Sequence, residues 1–195
     1  MRTLDDNALD LIFREARSHN RWRDEEVSDA DLRAIHDLAR MGPTTANSCP
    51  ARFVFLRSDE GKARLRPHLS EGNVEKVMTA PVTAIIAHDL AFYDHLPKLF
   101  PHEDARPWFA GKEAHIQLTA LRNGTLQGAY LLIAARALGF DCGPMSGFDN
   151  AGVDEAFFAD TTYRSNFLCC IGRGDPEGLF PRHPRFAFDD VCQVV

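Results

Sequence analysis

Several things are missing from this sequence, and each absence removes a class of protein. No stretch of the 195 residues approaches the roughly 18 consecutive apolar residues that a membrane-spanning helix requires. The first ten residues, Met1 to Asp10, are charged and lack an apolar run followed by small residues, so no secretory signal is expected and the reading is a cytoplasmic protein with no membrane partner. Cysteine is sparse: Cys49, Cys142, Cys169, Cys170 and Cys192 make an odd five with no C-x-x-C pair. That count argues against a disulfide framework or a zinc ribbon and predicts free thiols.

Lysine is also scarce, with four (Lys62, Lys76, Lys98, Lys112) against eighteen arginines. Arginine's planar fork grips phosphate or carboxylate bidentately, although the same bias follows from GC-rich coding. With a net charge of −6 and no basic stripe interleaved with aromatics, no nucleic-acid partner is expected. The usual catalytic signatures are missing too. H-E-x-x-H does not occur, and His102-Glu103-Asp104 lacks a second histidine one turn on, so no metal is expected. G-x-S-x-G is absent, which leaves a serine hydrolase without support. So are G-x-G-x-x-G after a strand and G-x-x-x-x-G-K, which argues against a Rossmann or P-loop nucleotide site.

What is present is a chain with 45% hydrophobic residues, enough for one domain over residues 1–195. Leu9, Ile12, Phe13 and Ala16 form an apolar stripe that predicts a first helix ending near Arg17. A second helix opens at Ser28 with a capping box to Asp31 and ends at Gly42-Pro43. Arg52 to Arg57 and Pro81 to His88 read as strands with a helical stretch between them, and Asn166 to Ile171 as a further strand. Ala129 to Phe140 is apolar almost all round, which predicts a helix buried on most sides, with Thr119 to Gly128 as its earlier turns. Asp149 to Arg164 reads as an ordinary surface helix and connector. Strict βαβ alternation is lacking, so the fold class is α+β, or three layers of helix and sheet.

Three segments cluster small, turn-forming and donor residues. Arg17-Ser18-His19-Asn20 sits where the first helix ends; an Arg-Ser pair can grip a phosphate, and the same segment also reads as a solvated helix terminus. Pro43, Thr44, Thr45 and Asn47 lie in a loop from Gly42 to Pro50 that can offer amides, hydroxyls and a carboxamide to a heterocycle edge, or serve only as a rigid connector. Cys142-Gly143-Pro144-Met145-Ser146-Gly147-Phe148 follows the apolar helix, where glycines permit close backbone approach to a planar ligand.

In their order along the chain these segments resemble the nitroreductase family, as does the tail at Arg185-Phe186-Ala187-Phe188-Asp189-Asp190-Val191. The resemblance covers essentially the whole chain. Within the family it is closest to the malonic semialdehyde reductases of pyrimidine-ring degradation, through GPTTANSCPARFVF, LSEGNVEKVMTAPVTAI, FYDHLPKLFPHEDARPWF and GPMSGFD. Two positions depart from the common pattern: Asn20 where many members have a second Arg, and Cys49 in place of Gln.

The resemblance implies a three-layer α/β/α sandwich with a mostly antiparallel sheet, in a homodimer that holds FMN non-covalently between subunits. It implies an FMN phosphate held by Arg17, Ser18 and Arg185, with His19, Asn20 and Arg182 as weaker candidates. Pro43, Thr44, Thr45 and Asn47 would line one edge of the ring, and Pro144, Met145, Ser146 and Gly147 the N5 side where hydride passes. NADH or NADPH would be the electron donor, and malonic semialdehyde the acceptor, giving 3-hydroxypropionate by a ping-pong sequence. No catalytic side chain is then required, because the chemistry is the flavin's. Phe92 to Phe109, an irregular segment with Lys98, His102 and Arg106, reads as a lid whose cations could meet the substrate carboxylate or simply be solvated. A general nitroaromatic or quinone reductase, and a flavin-binding or sensing protein without turnover, are the alternatives.

Overall fold

The capping box expected at Ser28 is present. Its Oγ accepts from the Asp31 N–H at 3.2 Å, and Asp31 Oδ2 accepts from the Ser28 N–H at 2.9 Å. The computed structural model describes residues 2–195. In chain order its elements are α1 (Asp6–Leu9), which runs on through a π-helical turn (Asp10–Arg14), α2 (Asp29–Ala39), β1 (Ala51–Leu56), α3 (Asp59–Leu65), α4 (Glu71–Thr79), β2 (Val82–Asp89), α5 (Leu96–Leu99), α6 (Glu113–Ala137), β3 (Asp141–Met145), α7 (Asn150–Phe158), β4 (Tyr163–Gly172) and α8 (Phe188–Val191).

The four strands form one antiparallel sheet in the order β1-β2-β4-β3. All eight residues of β2 are buried, as expected of a strand covered on both faces, and its side chains alternate between two cores. Ala84 and Ile86 join Ile35 of α2 and Leu131 of α6 on one side. Ile85 and Ala87 join Leu65 of α3, Val77 of α4 and Val153 of α7 on the other. The molecule is therefore an α+β sandwich of three layers, helix, sheet and helix. Among the described residues no helix is long and apolar enough to cross a membrane.

Four sequence expectations are corrected. Cys142 to Met145 is a strand and not a loop; Gly and Pro hide it, but β3 is an edge strand, where a proline without an N–H is tolerated. The first helix ends earlier than Arg17, and of its apolar stripe only Ile12 is buried while Phe13 is exposed. Phe92 to Phe109 is a folded subdomain with α5 between two 3-10 turns. It encloses a core of its own, in which the Phe92 and Phe109 rings meet edge to face at 5.0 Å.

The largest difference concerns α6. Its buried face carries Thr119, Asn123, Gly124, Gln127 and Gly128, whereas Leu118, Leu121, Leu126 and Tyr130 are exposed. The buried amides have work to do: Asn123 Oδ1 accepts from the Thr45 N–H and Gln127 Oε1 from the Ala51 N–H, both at 2.8 Å. At Gly128 a Cβ would sit 2.6 Å from Cζ of Phe167, so the helix lies directly on β4. The small inner residues bring α6 close to the sheet; Ile116 and Leu131 pack inward with them, while Leu118, Leu121, Leu126 and Tyr130 remain outside.

Candidate active site

At the end of the π turn the chain straightens and runs beside β3. Ser18 bridges to Cys142 in parallel fashion, and the His19 N–H donates to the Cys142 carbonyl at 3.0 Å. This contact needs Gly143, where a Cβ would lie 2.5 Å from the His19 carbonyl oxygen and 2.7 Å from Cε of Lys76. The Arg17 to Asn20 segment is thereby seated next to the Pro144 to Gly147 segment.

The C-terminal tail returns to the same place. The Arg17 guanidinium donates to the Phe180 carbonyl, and Arg182 Nη2 donates to the Ala16 carbonyl at 3.1 Å. Between these strands of chain lies a cavity of about 460 Å³ whose walls include Arg17, Ser18, Asn20, Arg136, Arg182 and Arg185. None of its four guanidiniums has an ion-pair partner among the described residues. They bond only to backbone carbonyls, Arg185 to those of His183 and Pro184 at 2.9 and 3.1 Å. Four unpaired cations around one cavity, in a chain of net charge −6, suit a phosphate monoester carrying about two negative charges.

His19 does not line this cavity. It is buried, its Nε2 is 3.3 Å from Asp141 Oδ1, and its Nδ1 has no partner. Partial burial pushes the Asp141 carboxyl up, but the His19 hydrogen bond, the Gly174 N–H and the charges of His19 and Arg173 outweigh it and hold the pKa below the usual value. His19 thus fixes the segment to β3, and Ser18 and Asn20 face the cavity.

Two side chains that sequence reasoning overlooked stand beside the Pro144 to Gly147 segment. Asn73 Nδ2 donates to the Gly147 carbonyl at 2.9 Å, and Lys76 Nζ reaches the Pro144 carbonyl at 3.4 Å. Both belong to α4. Lys76 is 7% exposed and forms no ion pair, and burial lowers its pKa, an effect only partly offset by the thiols of Cys170 and Cys169. Lys76 lines a second cavity together with Asn20, Arg21, Glu75, Glu177 and Leu179. The weak signals were that Lys76 is one of only four lysines and that Arg136 interrupts an apolar run.

The Pro43 to Asn47 segment lies elsewhere. Thr45 is anchored on Asn123, and Asn47 Nδ2 donates to the Leu99 carbonyl at 2.8 Å. Along α6, Asn123 and Arg136 are thirteen residues apart, about 20 Å at the rise of an α-helix. The loop is strained: Ala46, Asn47 and Cys49 have φ of 50°, 49° and 41°, a region that non-glycine residues seldom occupy. The three lid residues are also apart from the cavity. Lys98 is exposed, the His102 ring sits tilted at 52° against Phe100 with centroids 3.9 Å apart, and Arg106 pairs with Asp94 at 3.7 Å. Among the described residues no group of acids, histidines and cysteines could hold a metal ion.

Fold and cavity together define an α+β protein with an arginine-walled cavity beside its edge strand β3. The chain belongs to the nitroreductase family, whose model matches residues 13–173. A Burkholderia lata protein provisionally named NADH dehydrogenase/NAD(P)H nitroreductase is 62% identical over 194 residues, covering 100% of both chains. HadB of Ralstonia pickettii, which carries the same provisional name, is 57% identical over 96% of this chain and 97% of its own. Among solved structures, a protein of Exiguobacterium sibiricum provisionally described as a nitroreductase, in complex with FMN, matches with a TM-score of 0.85. It is 22% identical and covers 100% of this chain and 99% of that one.

Proposed function

We propose that this protein is a single-domain, homodimeric, FMN-dependent NAD(P)H oxidoreductase that reduces malonic semialdehyde to 3-hydroxypropionate. The observation that carries the cofactor reading is the cavity whose four arginines lack carboxylate partners. Family membership and the FMN complex of the Exiguobacterium relative add support.

In this reading Arg17, Ser18, Arg182 and Arg185 hold the phosphate, and charge-assisted hydrogen bonds retain it without a covalent link. Met145 packs in the core beneath the Pro144 to Gly147 backbone, while Asn73 and Lys76 brace two of its carbonyls and offer donors to a ring edge. Bound FMN supplies hydride acceptance and donation, so donor and acceptor use one site in turn. Pro43, Thr44, Thr45 and Asn47 line the ring from a second copy, because within one chain they stand too far along α6. The exposed Leu118, Leu121, Leu126 and Tyr130 are the surface through which that copy docks.

The substrate reading rests on the long strings shared with malonic semialdehyde reductases. The names of the Burkholderia and Ralstonia relatives favour a second reading, a general nitroreductase. Acceptor profiling of flavin-loaded protein with NADH and NADPH separates the two: a strong preference for malonic semialdehyde over a nitroaromatic and a quinone is expected, and equal weak rates on all three would leave the general reductase. The cofactor is tested by the visible spectrum of the purified protein. Absence of flavin bands even after FMN is added would sink the reading.

A further inference from the structure

The last turn of α6 brings Arg136 into the arginine cavity from a wall that neither the Arg17 segment nor the tail supplies. Its Nη1 reaches the Ile12 carbonyl at 3.4 Å, a long contact, and its Nε is enclosed without any partner. A buried donor with no acceptor calls for an explanation, and contact with a bound ion or ligand is one of the few available. Ile12 belongs to the π turn, where the Glu15 N–H bonds the Asp10 carbonyl at 2.9 Å, and π turns cluster at functional sites. Arg136 therefore touches the turn that aims Arg17 while keeping donors free on the cavity side.

We propose that Arg136 is a direct ligand of the cofactor's phosphate, closing the anion site opposite the tail arginines. The inference rests on the flavin reading above. Its guanidinium keeps the weak tie to Ile12 through one edge and presents its remaining N–H groups to phosphate oxygens, a geometry that the planar fork of arginine allows and a lysine does not reproduce. A purely structural role is the competing account, since a cation in the last turn of a helix also satisfies the helix dipole.

Riboflavin separates the two, because it carries the same ring without the phosphate. Apoprotein is titrated with FMN and with riboflavin, following flavin fluorescence. Wild type should bind FMN more tightly than riboflavin. Arg136→Met should weaken FMN about tenfold or more, the scale of one hydrogen bond to a charged group, and leave riboflavin affinity within about twofold. Arg136→Lys keeps the charge and should recover only part of the preference. Equal weakening of both ligands, or an unchanged FMN-to-riboflavin ratio in both variants, would overturn the inference. If the Met variant does not fold, the ratio in the Lys variant decides, and an unchanged ratio there overturns it equally. A wild type that binds neither flavin overturns the cofactor reading itself, a result distinct from failure of the Arg136 assignment alone.

Discussion

The backbone N–H of Thr45 and the carboxamide oxygen of Asn123 meet at 2.8 Å, and Asn123 is 1% exposed. One helical side chain thus holds a loop in which Ala46, Asn47 and Cys49 occupy the left-handed region. Asn123 also donates to the Thr119 carbonyl at 2.8 Å, so both ends of its amide are committed. Asn123→Leu should destabilise the protein by about 0.5–1.5 kcal/mol, the net worth of a hydrogen bond whose donor can turn to water once its acceptor is gone. Urea unfolding measures this; a change under about 0.5 kcal/mol would mean that the loop holds itself.

Two glycines should respond in opposite directions to the same substitution. At Gly143 a Cβ would meet the His19 carbonyl at 2.5 Å, backbone against backbone, whereas at Gly72 in α4 nothing lies within 4 Å. Gly143→Ala should lower stability and push the Arg17 to Asn20 segment off β3. Gly72→Ala should raise stability by about 0.5–1 kcal/mol through helix propensity. Thermal denaturation of the pair provides the check, and equal shifts would contradict the geometry.

Lys76 sets stability against binding. Burial lowers its pKa from the ordinary 10.5, so the native state releases its proton at a lower pH than the unfolded chain. The folding penalty is complete below the native pKa, and stability is recovered as pH rises from that value toward 10.5. Lys76→Met apoprotein should therefore be the more stable form at neutral pH, with an advantage that shrinks under alkaline conditions. The same variant should bind flavin more weakly if Lys76 faces the ring. Chemical denaturation at pH 7 and at about pH 10 reads the first effect; an advantage that grows with pH would reverse the assignment.

Thiol chemistry should be confined to two of the five cysteines. Cys49 is partly exposed and Cys192 is exposed, while Cys142, Cys169 and Cys170 are buried. Hydrogen bonding to Cys142 and burial hold the Cys169 thiol well above its usual pKa, and burial pushes Cys170 up to about 11, so neither supplies thiolate at neutral pH. Iodoacetamide on native protein should add no more than two adducts by intact mass, and five after denaturation. A third adduct under native conditions would show that the sheet opens.

Much of this structure was legible in local chemistry. The Ser28 to Asp31 box and the buried run of β2 are short-range signals that the fold leaves intact. β3 was not legible, because Gly143 and Pro144 disfavour a strand and only pairing with Leu168 to Gly172 of β4 makes one. α6 begins at Glu113, ahead of Thr119 where its earlier turns were expected to start, with no side-chain cap to mark the start. Its polar inner face could not be read from periodicity, since Asn123 and Gln127 are buried for the sake of a distant loop. At the site, Arg17, Ser18, Asn20, Arg182 and Arg185 were picked out by motif and share one cavity. Asn73 sits in unremarkable helical sequence and Arg136 is marked there only by interrupting an apolar run; both became visible through what they face.

α6 turns its amides inward and Leu118, Leu121 and Leu126 outward, an apolar face whose covering would tie folding to crowding by its own kind. If those leucines are covered by a second copy, the free energy of unfolding includes an association term, and the melting temperature rises with the logarithm of protein concentration. Scanning calorimetry over a hundredfold range of concentration would register it as a steady upward drift, and dilution alone would loosen the enzyme's grip on its flavin. Cells that made too little of this chain would then lose activity more steeply than in proportion to its amount.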